Sequence, residues 1–79
     1  MAEQVKLSVE YCTSWGYRQK AVGLAEKLLQ IYKNKISSFE IIPSTGGVFE
    51  VRKNGELLFS KKELGRFPEM AEIVAKLNL

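Results

Sequence analysis

The chain has 79 residues, 46% of them apolar and 27% charged, with a net charge of +3, one cysteine and no histidine. A chain this short forms one domain, residues 1–79, and buries only about 60% of its unfolded surface. The lone cysteine excludes an internal disulfide, and the missing histidine excludes Ser-His-Asp and Cys-His catalysis and the usual His/Cys zinc sites. No apolar run approaches the ~20 residues that span a bilayer. The opening MAEQVKLSVEY has no basic stretch leading into an apolar one, so nothing reads as a secretory signal. A cytoplasmic monomer is expected, without membrane or metal, and the mild positive charge falls short of a nucleic-acid footprint.

Along the chain, Val5, Leu7, Val9 and Tyr11 alternate with Lys6, Ser8 and Glu10, the period of a strand with one buried and one wet face. After the short break CTSWGY, the residues Ala21, Leu24, Ala25, Leu28 and Tyr32 recur at helical spacing, which places them on one face. Asn34 and Lys35 close that helix. Strand character returns from Ile36 to Ile42, and Pro43 to Gly47 is a loop by composition. Val48–Lys53 and Glu56–Ser60 flank Asn54-Gly55, a strong signal for a two-residue hairpin. Lys61 to Arg66 is expected to be a further loop. Pro68 falls where a first helical turn would begin, with Glu69 beside it to complement the dipole. Met70, Ile73, Val74 and Leu77 supply the apolar stripe of a final helix.

The predicted order is β-α-β-β-β-α. A right-handed crossover makes the first two strands parallel, and the hairpin adds two antiparallel ones, giving a mixed four-stranded sheet. The polar strand faces predict that both helices cover one side, in a two-layer α/β sandwich.

In such a sheet, functional groups gather at the carboxyl ends of the parallel strands. Cys12 closes the first strand beside a helix start, whose partial positive charge favours thiolate over thiol. The expectation is an exposed thiol with a lowered pKa; the alternative is a small buried hydrophobe. If the hairpin packs against the first strand, the Pro43–Gly47 loop and the Ser60–Arg66 segment both reach the same end. Arg18, Lys20, Lys61, Lys62 and Arg66 would then surround the thiol, against Glu63 and Glu69, in a rim suited to an anionic thiol such as glutathione. A solvated charged face is the ordinary alternative. Gly46-Gly47 reads as a turn of positive φ or as backbone amides that hold a ligand carboxylate.

The segments YC-x-x-W-GY, TGGVFEV and the hairpin followed by SKK, in that order, resemble the selenoprotein W family. Its members carry C-x-x-U or C-x-x-C in the first loop, U being selenocysteine, and a basic loop before the last helix. The resemblance covers nearly the whole chain from Val5. It implies a thioredoxin-like fold, thiol or selenol redox chemistry of the oxidoreductase type, and association with glutathione rather than a tightly bound cofactor.

By position, Cys12 matches the first redox residue and Thr45, Gly46 and Gly47 match the glycine loop facing it. Lys61, Lys62 and Arg66 are the expected glutathione-binding cations. Trp15 falls on the second redox position and cannot pair with Cys12, so this form is expected to be impaired in resolving a mixed disulfide. The selenocysteine codon UGA differs from the tryptophan codon UGG by one base. Trp15 is therefore read as standing where selenocysteine belongs, because Tyr11, Cys12, Gly16 and Tyr17 keep the family pattern; a member that lost its second redox atom is the other reading. A different class of function, a protein-interaction module using the redox loop or the exposed sheet face, also fits the sequence.

Overall fold

The computed structural model describes residues 4–14 and 16–79. The elements run β1 (Lys6–Cys12), α1 (Tyr17–Tyr32), a 3-10 turn (Lys33–Lys35), β2 (Ser38–Ser44), β3 (Phe49–Lys53), β4 (Glu56–Ser60), α2 (Lys61–Leu64) and α3 (Met70–Leu77). The sheet order is β2-β1-β3-β4. β1 is parallel to β2 and antiparallel to β3, and β3 is antiparallel to β4. The hairpin therefore packs on the first strand. Both segments that follow β2 and β4 end where Cys12 lies.

Alternation along β1 sends Leu7, Val9 and Tyr11 to the buried side, where they meet Phe49, Val51 and Phe59 of the hairpin. The α1 stripe read from the sequence, Ala21 to Tyr32, is the set that α1 buries. Ile73 and Leu77 of α3 join the same core. Both helices thus cover one face, and the fold is the expected thioredoxin-like two-layer arrangement.

The other face stays polar. Glu10 and Glu50 stand directly opposite each other on the ladder, an arrangement that repels. Arg52 bridges them, its guanidinium 3.4 Å from Glu10 Oε1 and 3.0 Å from Glu50 Oε1. The Ser60 hydroxyl donates to Glu50 Oε2 at 3.3 Å.

The hairpin turn forms as its sequence dictates. Asn54 and Gly55 have φ of 52° and 85°, the paired left-handed residues of a type I′ turn. Asn54 Oδ1 also accepts the Lys6 N–H at 2.8 Å, which ties the turn to the start of β1.

Several boundaries differ from expectation, beginning with β2, which starts at Ser38 rather than Ile36 because Ile36 ends the 3-10 turn. Pro43 and Ser44 belong to β2 rather than to a loop. β2 is an edge strand, where a missing N–H leaves no ladder bond unmade. Lys61–Leu64 is a one-turn helix ended by Gly65 at φ 72°, not a loop. Pro68 lies before α3 instead of in its first turn: Glu69 is the N-cap, in a reciprocal capping box with Glu72. Carboxylates at both ends of that box outweigh the proline signal.

Candidate functional site

At the carboxyl end of β1 the chain turns through Thr13 and Ser14 toward α1, which begins at Tyr17 after Gly16 in the left-handed region. Two backbone bonds fasten this turn to the glycine loop. The Cys12 N–H donates to Val48 O at 2.8 Å and the Thr13 N–H to Ser44 O at 3.1 Å. They close the two ends of Thr45–Gly47 over the cysteine, one continuing the β1–β3 ladder and the other the β1–β2 ladder. Gly46 and Gly47 have φ of 79° and 73°, where a side chain is strained.

The result is a sulfur ringed by donors. The Ser14 N–H bonds to Cys12 Sγ and is the main influence holding the thiol below its ordinary range; burial opposes it, and the Gly47 N–H and the Ser14 hydroxyl add to it. The direction of the shift is the one expected from the sequence, but the agent differs. α1 starts five residues beyond Cys12, and local amides take the part assigned to the helix terminus. Exposure differs too: Cys12 is 3% exposed, not open to solvent.

The other sequence-selected residues divide. Gly47 touches the sulfur, and Thr45 is exposed on the loop above it. Lys62 reaches the loop: its Nζ lies 3.8 Å from where a Cβ on Gly46 would stand. Lys61 turns aside onto aromatic faces, 5.6 Å from the Tyr17 centroid and 5.4 Å from that of Phe67. Lys20 lies 4.7 Å from the Phe67 centroid.

Arg66 does not join the rim. Its guanidinium grips Glu72 through two bonds of 2.9 and 2.8 Å and rests 5.5 Å from the Phe59 centroid. Gly65 reverses the chain after α2, and the α3 carboxylate captures the arginine. Trp15 lies outside the described residues.

Arg18 and Gln19 line a cleft of about 270 Å³ beside the cysteine loop, together with Tyr11, Thr13 and Gly16. Ser14 is the residue that reading the sequence missed. A hydroxyl two positions after a strand-end cysteine was the available signal, since serine there bonds back through both its amide and its side chain. Among the described residues, no three Cys, Asp or Glu side chains converge as metal ligands, and no helix is long and apolar enough to cross a membrane.

A mixed four-stranded sheet with its helices on one face and a thiol at the end of the central parallel strand defines a thioredoxin-like thiol protein. The chain belongs to the Rdx family, whose pattern matches residues 6–78, and it is selenoprotein W-like. It is 42% identical over 59 residues to selenoprotein W of Danio rerio, covering 73% of this chain and 69% of that protein. It is 35% identical over 72 residues to migration and invasion enhancer 1 of Bos taurus, covering 89% of this chain and 59% of that longer protein. A crystal structure of a selenoprotein W-related protein from Vibrio cholerae superposes with a TM-score of 0.91 at 25% identity, covering 96% of this chain and 95% of that one. A Bordetella parapertussis crystal structure gives the same TM-score at 26% identity, with 96% of each chain covered. Membership implies a thiol redox-type protein.

Proposed function

We propose that Cys12 is the reacting thiol of a glutathione-linked redox protein in the reducing cytoplasm, and that Trp15 occupies the place of its selenocysteine. The observation that carries this reading is the set of donors aimed at Cys12 Sγ from Ser14 and Gly47. A thiolate is the attacking species in thiol–disulfide exchange, and fixed amides stabilise it without a histidine. The Cys12 thiolate attacks one sulfur of oxidised glutathione. The disulfide breaks, a Cys12–glutathione mixed disulfide forms, and the other half leaves as glutathione thiolate. Arg18, in the cleft beside the loop, and Lys62 of α2, whose ammonium reaches the glycine loop, are the cations that would meet the glutathione carboxylates. Thr45, Gly46 and Gly47 shape the mouth of the site.

A second chalcogen at position 15 would attack Cys12 Sγ in the mixed disulfide and release glutathione; tryptophan leaves the adduct unresolved. The burial of Cys12 supports a gated reaction, in which the Thr45–Gly47 loop must yield before a disulfide reaches the sulfur.

The test is mass spectrometry of the native chain after incubation with oxidised glutathione. A single adduct on Cys12 is expected, and Trp15→Cys should convert it to an internal disulfide about two mass units below the reduced chain. An adduct formed by the unfolded chain but never by the native one would overturn the role of Cys12. A Trp15→Cys variant that oxidises only between chains would overturn the assignment of position 15.

A further inference from the structure

α1 presents Lys20, Gly23, Leu24 and Lys27 along one stripe, at the i, i+3, i+4 and i+7 spacing that shares a helix face. These four residues wall an open recess of about 260 Å³. Phe49, Phe67 and Met70 complete its apolar lining, with Pro68 at the edge. The recess lies on a different flank of α1 from Arg18 and Gln19.

Gly23 is the informative residue. Glycine inside a helix is about 1 kcal/mol less favourable than alanine, so its presence calls for a reason. Its φ lies outside the left-handed region, and a Cβ there would meet no atom within 4 Å. Neither backbone conformation nor crowding requires glycine at 23. Because Gly23 lines the recess, a long side chain at this position would extend into it.

The charges are one-sided. Two lysines and no carboxylate line the recess. Among the described residues neither lysine is ion-paired. Lys20 hangs over Phe67 at 4.7 Å, a cation held at the edge of an apolar surface. The volume lies just below the roughly 300–1,000 Å³ of drug-sized ligand sites, which selects a short ligand.

We propose that this recess binds a small amphiphilic carboxylate, a medium-length aliphatic or arylalkyl acid. Its hydrocarbon body lies against the partly exposed Phe67 and Met70, with the buried Leu24 and Phe49 forming the floor, and its carboxylate meets Lys20 and Lys27. The site does not depend on the role of Cys12.

Octanoate, with octanol as the neutral control, is titrated into the ¹⁵N-labelled chain at low salt. Saturable shifts at the amides of Gly23, Leu24, Phe67 and Met70 are expected, with octanoate bound at least about fivefold tighter than octanol. The double variant Lys20→Gln/Lys27→Gln should remove that preference. Gly23→Leu should weaken binding about tenfold or more by filling the recess, while raising Tm through helix propensity. Cys12→Ser should leave binding unchanged. Shifts that never saturate, equal binding of octanol and octanoate, or full binding by Gly23→Leu would each overturn the proposal. Should the leucine variant fail to fold, the lysine double variant decides, since unaltered preference for octanoate there overturns it.

Discussion

Two segments return to the Cys12 end of the sheet, and they serve it differently. Thr45–Gly47 connects two strands that both pair with β1, so the ladders on either side dictate where its backbone runs. It delivers an amide to the sulfur. Lys61–Arg66 follows β4, the outer strand of the hairpin, and is shaped by a one-turn helix and a left-handed Gly65. Of its three expected cations, only Lys62 reaches the glycine loop; Lys61 lies on rings and Arg66 on Glu72. Main-chain donors anchored by pairing are placed by topology. Long side chains go to the nearest carboxylate or aromatic face.

The comparison breaks most visibly within the glycine loop. Gly46→Ala and Gly47→Ala both force a side chain into the left-handed region, at about 1–2 kcal/mol each. For a domain of this size that lowers Tm by roughly 5–15 °C. Of the two glycines it is Gly47 whose N–H bonds to Cys12, so only Gly47→Ala should also raise the pH midpoint of Cys12 alkylation, toward the model thiol value of ~8.5. Alanine keeps the N–H but disfavours the left-handed backbone that aims it at the sulfur, so the donor is displaced and the thiol pKa, held low by such donors, moves up. Thermal melts and pH-dependent iodoacetamide rates on the two variants check both halves. Equal midpoints would mean that the loop constrains the chain without tuning the sulfur.

The same division explains what could be read from the sequence. The alternation of β1, the α1 stripe and Asn54-Gly55 fixed the order of elements, because period and turn chemistry are local. The position of Cys12 and the glycine loop followed once the hairpin was set against β1. What was missed depends on tertiary choices. Pro43 stays in strand because β2 is an edge, and α3 starts at Met70 because Glu69 and Glu72 cap one another. Arg66 leaves the rim because Glu72 is one helix turn into α3, a pairing with no signature in spacing alone. Ser14 is hard to read from the sequence because its contribution comes chiefly from its amide and least from its hydroxyl, and amides leave no mark in a sequence.

A smaller effect separates Lys62 from Lys61. Lys62→Gln should slow formation of the glutathione adduct about two- to fourfold at low ionic strength, and the difference should shrink as salt shortens the Debye length below about 5 Å. Lys61→Gln should change the rate less, because that ammonium sits over Tyr17 and Phe67 and not on the loop. Adduct formation followed at two salt concentrations measures both. Equal slowing by the two variants would show that the segment acts as a diffuse cation cloud rather than through one placed lysine.

The smallest effect belongs to Arg66, and it falls on stability rather than on the thiol. Its bidentate grip, followed in weight by the Glu69 amide among the favourable contacts, holds the Glu72 carboxyl at about 2, well below the ordinary 4.5, while desolvation opposes both. A folded-state pKa below the unfolded one contributes stability that is fully present above the unfolded value and is lost as the pH falls through the folded value. Arg66→Gln should therefore lower Tm by a few degrees at most at pH 6–8, as expected of a surface pair. That deficit should close as the pH falls from about 4.5 toward 2, where Glu72 takes up its proton in the native protein as well. The alkylation midpoint of Cys12 should not move, since none of the groups acting on the sulfur is Arg66. Melts between pH 2 and 8, set beside iodoacetamide rates, decide the point. A deficit that persists unchanged to pH 2 would mean that Arg66 stabilises the chain through its contact with Phe59 and not through Glu72. A shifted thiol midpoint would return the arginine to the redox rim and remove the contrast between the two segments.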